Sequence, residues 1–151
     1  MEIVSMLVLS RLPSPFRFMT SSHKGRKTPL VLVADDEDDI LDLIKYNLKK
    51  AGFDVLCARN GIVAIEMATA ELPDVIVMDI MMPEMDGIEA SQRLREHSTL
   101  RAIPILMLTA RSEESDQVGG LDAGADIYLT KPVSIPVLVS QIKALLRSAQ
   151  R

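Results

Sequence analysis

The sequence predicts an α/β protein, a doubly wound, three-layer (βα)5 fold built on a five-stranded parallel sheet of order 2-1-3-4-5. Three observations carry this expectation. From Leu30 onward, short β-rich apolar runs alternate five times with helical segments, the pattern of βαβ units. The chain has 151 residues and is 48% hydrophobic, enough for one domain with a buried core. Four of the apolar runs end on a reactive residue type: Val31–Ala34 on Asp35-Asp36, Val75–Met78 on Asp79, Ile105–Leu108 on Thr109, and Ile127–Thr130 on Lys131. In an open parallel sheet the crevice outside the carboxyl ends of the strands is where ligands bind, so these endings are expected to converge.

Each element has its own signals. The first strand spans 30–34, and the helix over 37–50 opens on the acidic run Asp35–Asp39, which suits the positive end of a helix dipole. That helix stops at Gly52 after Lys49-Lys50-Ala51, with its cations near the negative end. A strand over 53–58 contains the lone cysteine, Cys57, expected to pack in the core. Asn60 caps a helix over 61–71, and a strand over 74–79 delivers Asp79. A helix over 87–97 and a strand over 103–108 follow. The next helix, 112–122, is weak because Gly119 and Gly120 lie side by side in its interior, each costing about 1 kcal/mol relative to alanine. After a strand over 126–130, Ser134 caps the last helix, 134–148. Pro136 sits in its first turn, where the missing N–H matters little. Leu138, Val139, Ile142, Leu145 and Leu146 then form one apolar stripe.

Charge divides the chain. Residues 1–27 carry five basic groups and one acidic, and residues 28–151 carry 12 basic against 20 acidic. The expected organisation is a flexible basic N-terminal extension, 1–27, followed by one domain, 28–151. Prolines, serines and positive charge over 10–29 leave too little apolar surface to order that stretch. Translation starting at Met19 is a further expectation, given the polar run that follows it. An acidic domain without a basic cluster disfavours nucleic acid and membrane surfaces. No apolar stretch approaches the roughly 20 residues needed to span a bilayer. The segment Ile3–Leu9 is short for a signal-peptide core, and Glu2 stands where basic residues belong. A reducing, cytoplasmic setting is expected from the single cysteine.

The residues at the strand ends make a phosphoryl-transfer site. With the first and third strands adjacent, the Asp35, Asp36 and Asp79 carboxylates come together, and such like charges need a cation between them. Hard oxygen ligands with open positions suit Mg2+. Asp79 can attack phosphorus as a carboxylate, and Lys131 and the Thr109 hydroxyl can meet the transferred oxygens. Taken singly, each residue has a plainer role: a helix-start charge, a loop carboxylate, a turn hydroxyl, a solvated lysine. Their joint placement argues otherwise. The methionines Met78, Met81, Met82 and Met85 are expected to serve packing and loop roles rather than bind soft metal, since no cysteine or histidine joins them. His23 and His97 lack catalytic partners and are read as solvated.

Val31–Glu37, Val77–Gly87, Leu108–Ala110 and Ala123–Pro132 look like signatures, in the right order, of a known family. Over about residues 30–148 the chain resembles the receiver domain of two-component response regulators, the CheY-like family with flavodoxin-like topology. The resemblance implies that Asp79 is the phosphoacceptor and that Asp35, Asp36, Asp79 and the Met81 backbone carbonyl hold Mg2+. It implies that Lys131 binds the phosphoryl group, that Thr109 and Tyr128 form the switch pair, and that the Lys131–Pro132 peptide is cis. A histidine kinase or histidine phosphotransfer protein is the implied donor. Met81 and Arg111 stand where relatives tune the lifetime of the phosphorylated state, and these two side chains are expected to obstruct attacking water. Val133 departs from the aromatic residue often found after Lys-Pro in relatives, which leaves the downstream partner open.

The expectation is therefore a stand-alone receiver that catalyses its own phosphorylation and dephosphorylation without being an enzyme in the ordinary sense. Its last helices and strand would signal to a protein target, with a phosphorylation-dependent homodimer as one form. A haloacid-dehalogenase-type phosphatase uses similar groups, but its nucleophile begins an Asp-x-Asp motif, whereas Ile80-Met81 follow Asp79. A flavin- or nucleotide-binding module would need a glycine-rich loop after an early strand, and none is present.

Overall fold

The computed structural model describes residues 26–110 and 124–149. In chain order its elements are β1 (Leu30–Ala34), α1 (Asp38–Lys50), β2 (Asp54–Ala58), α2 (Gly61–Glu71), β3 (Val75–Asp79), α3 (Gly87–Glu96), β4 (Ile105–Ala110), β5 (Ile127–Lys131) and α4 (Ile135–Ala149). The helix expected over 112–122 and the side chain of Arg111 lie outside the described residues.

The strands form one parallel sheet of order β2-β1-β3-β4-β5. Period-two alternation sends neighbouring side chains of each strand to opposite faces, so an unbroken apolar run feeds two cores. On one face Val31, Val33, Val75, Val77, Leu106 and Leu108 pack with Leu41, Ile44 and Leu48 of α1 and Leu138, Ile142 and Leu145 of α4. On the other, Leu32, Ile76, Met78, Ile105 and Met107 pack with Ala64 and Ala68 of α2 and Ala90 and Leu94 of α3. Small residues on α2 and α3 let those helices lie close to the sheet. β1 and β3 are buried at every residue, whereas β2 and β5 at the edges are mostly half-buried.

Helix ends follow local chemistry. The Asn60 side chain accepts the Val63 N–H at 2.9 Å, and Ser134 Oγ accepts the Val137 N–H at 3.4 Å, as expected of caps. Asp86, for which no capping role is expected from the sequence, caps α3 by accepting the Glu89 N–H at 2.8 Å. Gly52, with φ of +98°, ends the first helical stretch in left-handed backbone. Arg26 lies against the end of α2, donating to the Glu71 carbonyl at 2.9 Å and pairing with Asp74 at 3.4 Å. The same Asp74 carboxylate accepts the Leu30 N–H at 2.8 Å, fixing the approach to β1.

Two strands run further than the apolar pattern alone marks. β4 begins after Pro104, which has no N–H for the ladder, and continues to Ala110. β5 continues to Lys131. The pairings Thr109 with Thr130 and Ala110 with Lys131 supply the extra rungs, so both reactive residues sit inside strands rather than just beyond them.

Candidate functional site

β1 and β3 are neighbours in register, with Ala34 beside Met78, so the residues that follow them leave the sheet together. Asp35 and Asp79 are buried there, and Asp36 is only partly buried, at the rim. One carboxylate oxygen from each of Asp35, Asp36 and Asp79 lies within 4.8 Å of the others. Lys131 reaches this cluster from β5, across β4. Its Nζ donates to Asp35 Oδ2 at 3.0 Å, lies 3.2 Å from Asp79 Oδ2 and stands 3.9 Å from Glu37 Oε1. The peptide that follows, Lys131–Pro132, is cis.

The charges are unbalanced in a way that defines the site. Burial and the neighbouring Asp35 carboxylate push the Asp79 carboxyl up to about 6, against the opposing pull of Lys131 and a hydrogen bond from the Met81 backbone N–H. Burial works against the Lys131 ammonium, but hydrogen bonding to Asp35 and the charges of Asp79 and Asp35 outweigh it and hold the group above its usual value. One ammonium pairs with only two of the three clustered carboxylates, those of Asp35 and Asp79. Two are buried and one reaches solvent, all offer hard oxygen, and they sit within bridging distance of a single ion. That donor set fits Mg2+, which takes one or two carboxylates and completes its octahedron with other oxygens.

The remaining residues hold the cluster in shape. The Asp35 N–H donates to the Ala58 carbonyl at 3.0 Å, and Asp35 Oδ1 accepts the Glu37 N–H at 2.9 Å. The Ile80 N–H donates to the Leu108 carbonyl at 3.0 Å. The first residue of α3, Gly87, passes so close to the strand end that a Cβ there would lie 2.3 Å from the Asp79 carbonyl oxygen. Thr109 is fully buried at the end of β4, and its Oγ1 donates to the Ala110 carbonyl at 3.2 Å. Tyr128 pairs with Met107, two residues before Thr109, so Thr109 and Tyr128 share one face of the sheet. The tyrosine is half-buried and packs against the core on that face. Met81 stands on the rim with 61% of its surface exposed.

All the strand-end residues singled out in the sequence, Asp35, Asp36, Asp79, Thr109 and Lys131, thus lie at one end of the sheet, with Met81 beside them. Sequence reasoning misses Arg59. Its guanidinium pairs with Asp38 and reaches the Asp36 carbonyl at 3.5 Å, holding the turn that carries the first two acids. A signal for it exists, because Arg59 directly follows the apolar run of β2 just as Asp35, Asp79 and Thr109 follow theirs. Glu37, a further carboxylate within reach of Lys131, looks in the sequence like no more than part of a helix-start run.

Comparison with known proteins gives the family of the chain. The family described as the response regulator receiver domain matches residues 31–143. The alkaline phosphatase synthesis transcriptional regulatory protein PhoP of Bacillus subtilis (strain 168) is 47% identical over 120 residues, covering 80% of this chain and 49% of that protein. The chain therefore spans about half the length of this curated relative. The receiver domain of a Francisella response regulator superposes with a TM-score of 0.74 at 36% identity, over 80% of this chain and 98% of that one. The receiver domain of a sensor histidine kinase from Pseudomonas aeruginosa PAO1, solved with a magnesium ion coordinated in its active site cleft, gives a TM-score of 0.74 at 28% identity over 80% of this chain and 98% of the other.

Proposed function

Since this chain belongs to the response regulator receiver domain family of two-component signal transduction, we propose that it is a phosphorylation switch in which Asp79 accepts a phosphoryl group from a phosphohistidine. The donor is a histidine kinase or a histidine phosphotransfer protein. A carboxylate oxygen of Asp79 forms the new O–P bond, the P–N bond of the donor breaks, and its electron pair returns to the imidazole. Asp79 must be ionised to attack, which holds above its value of about 6. Lys131 and the Thr109 hydroxyl meet the oxygens of the incoming group with fixed charge and a donor. Asp35, Asp36, Asp79 and the Met81 backbone carbonyl would hold Mg2+, which when bound neutralises the carboxylates and the transferring oxygens.

The observation that carries this reading is the convergence of three carboxylates within 4.8 Å, two of them paired to the single Lys131 ammonium at 3.0 and 3.2 Å. Incubation with acetyl phosphate and Mg2+, followed by intact-mass measurement, tests it. Wild type should gain one phosphoryl group and Asp79→Asn none; an equal gain in both would place the modification elsewhere.

In this reading phosphate draws Thr109 toward it, Tyr128 follows inward along the same sheet face, and the surface around β5 and the last helices changes for a protein target or a second copy. Met81 and Arg111 set how readily water reaches the phosphoryl group. Residues 28–151 are assigned to the receiver unit and 1–27 to a basic extension. The free thiol of Cys57 suits the cytoplasmic setting that such signalling requires.

A further inference from the structure

The loop between β3 and α3, residues 80–86, touches the reacting carboxylate directly, because the Met81 N–H donates to Asp79. What holds this loop therefore bears on the chemistry. Its start is fixed by the Ile80 N–H on the Leu108 carbonyl, and its end by the Gly87 N–H, which donates to the Ile80 carbonyl at 2.8 Å. Inside it, the Met85 N–H donates to the Pro83 carbonyl at 2.7 Å, and Glu84 takes a φ of +69°, left-handed backbone that side chains seldom adopt.

A third support comes from a different element. The N–H of Gly61, the first residue of α2, donates to the Met85 carbonyl at 3.0 Å. First-turn N–H groups have no partner within their own helix, so the loop takes up a donor that α2 would otherwise leave to water. Only glycine permits the approach. A Cβ at position 61 would lie 2.7 Å from the Met85 carbonyl oxygen, 2.9 Å from Met85 Cγ and 3.0 Å from Ala90 Cβ. The Met85 side chain could turn aside, but its backbone oxygen and the buried Ala90 could not without moving the loop or α3.

We infer that Gly61 is a positioning residue for the acidic site. By clasping the Met85 carbonyl it holds loop 80–86 where Met81 meets Asp79 and offers its own carbonyl to the metal. α2 supplies none of the reacting groups and acts through the loop. This inference rests on the proposed Mg2+ site and extends it to a residue outside the acid cluster.

Calorimetric titration of the full chain with Mg2+ alone tests it, using wild type, Gly61→Ala and Ala68→Gly. Ala68 is buried on the same helix two turns further on, so its replacement loosens α2 without touching the loop. Gly61→Ala should weaken Mg2+ binding by roughly tenfold or more, the size typical when groups that orient metal ligands are lost, and Ala68→Gly should leave it unchanged. Wild-type affinity in Gly61→Ala overturns the inference, as does equal weakening in both variants. If Gly61→Ala does not fold, amide NMR of the wild type decides. Gly61, Met81 and Met85 resonances moving along one Mg2+ curve support the clasp, and a Gly61 resonance that stays fixed while Met81 moves overturns it. A wild-type chain that takes up no Mg2+ overturns the metal site and the clasp together, which separates that failure from failure of the clasp alone.

Discussion

At Asp79 burial and the facing Asp35 carboxylate oppose the charge that the proposed chemistry needs. Its carboxyl titrates near 6 instead of the ordinary 3.8. Between those values the folded chain holds a proton that the unfolded chain has released, so stability falls as pH rises through this window and stays lower above it. In EDTA at pH 7.5, Asp79→Asn should accordingly be more stable than wild type, by on the order of 1 kcal/mol once solvent screening is allowed for. The gap should narrow at pH 4.5, and urea denaturation at the two pH values measures it; an unchanged gap would contradict burial and Asp35 as its cause. Lys131 is raised as well, but there the folded state favours the charged form, so its contribution is complete at neutral pH and lost only as strongly alkaline pH is reached. On the rim, Met81 is largely exposed beside the acids. Replacing Met81 and Arg111 with smaller polar residues should speed loss of phosphate from the modified chain, followed as released phosphate; decay at the wild-type rate would mean that neither side chain screens the group. Single residues are legible in the sequence where they close an apolar run. Glu37 closes none, and although Arg59 does, neither residue's partner can be read from its own segment, because their contacts cross between elements, Glu37 to β5 and Arg59 from the end of β2 back to the turn before α1.

The elements are readable because apolar runs and helical stripes have different periods, and the stripe Leu138, Ile142 and Leu145 does face the core. Their ends are less so. Strand length depends on what the neighbouring strand offers, so the rungs that carry β4 through Thr109 and β5 through Lys131 are invisible in either segment alone. Capping by Asp86 leaves a sequence signal too, but one hidden among the charges of its loop. Asp86→Ala should destabilise the chain by about 1 kcal/mol, as loss of a good helix cap does, and Asn60→Ala by a similar amount. Chemical denaturation midpoints give both, and a change near zero for Asp86 would indicate that α3 is held by packing alone.

For the molecule as a whole, the order β2-β1-β3-β4-β5 sets Asp35 and Asp79 side by side at the ends of adjacent strands. The acidic site and the stability of the sheet are consequently linked through whatever cation the carboxylates bind. Adding Mg2+ at a hundred times its dissociation constant should raise stability by about 2.7 kcal/mol through mass action, seen as a higher melting temperature that EDTA reverses. Asp36→Ala, which removes a proposed ligand at the rim and leaves the core intact, should abolish most of that rise. A rise retained in full would show that the ion binds elsewhere.

The contact between Lys131 and Asp35 joins positions 96 apart along the chain. A ribosome delivers the acids first and their ammonium much later, so for a good part of synthesis β1 and β3 would have to meet with their negative ends unneutralised. Until Lys131 emerges, only a cation from the surrounding solution could stand in for its ammonium, so closing β1 against β3 early would depend on the salt around the growing chain.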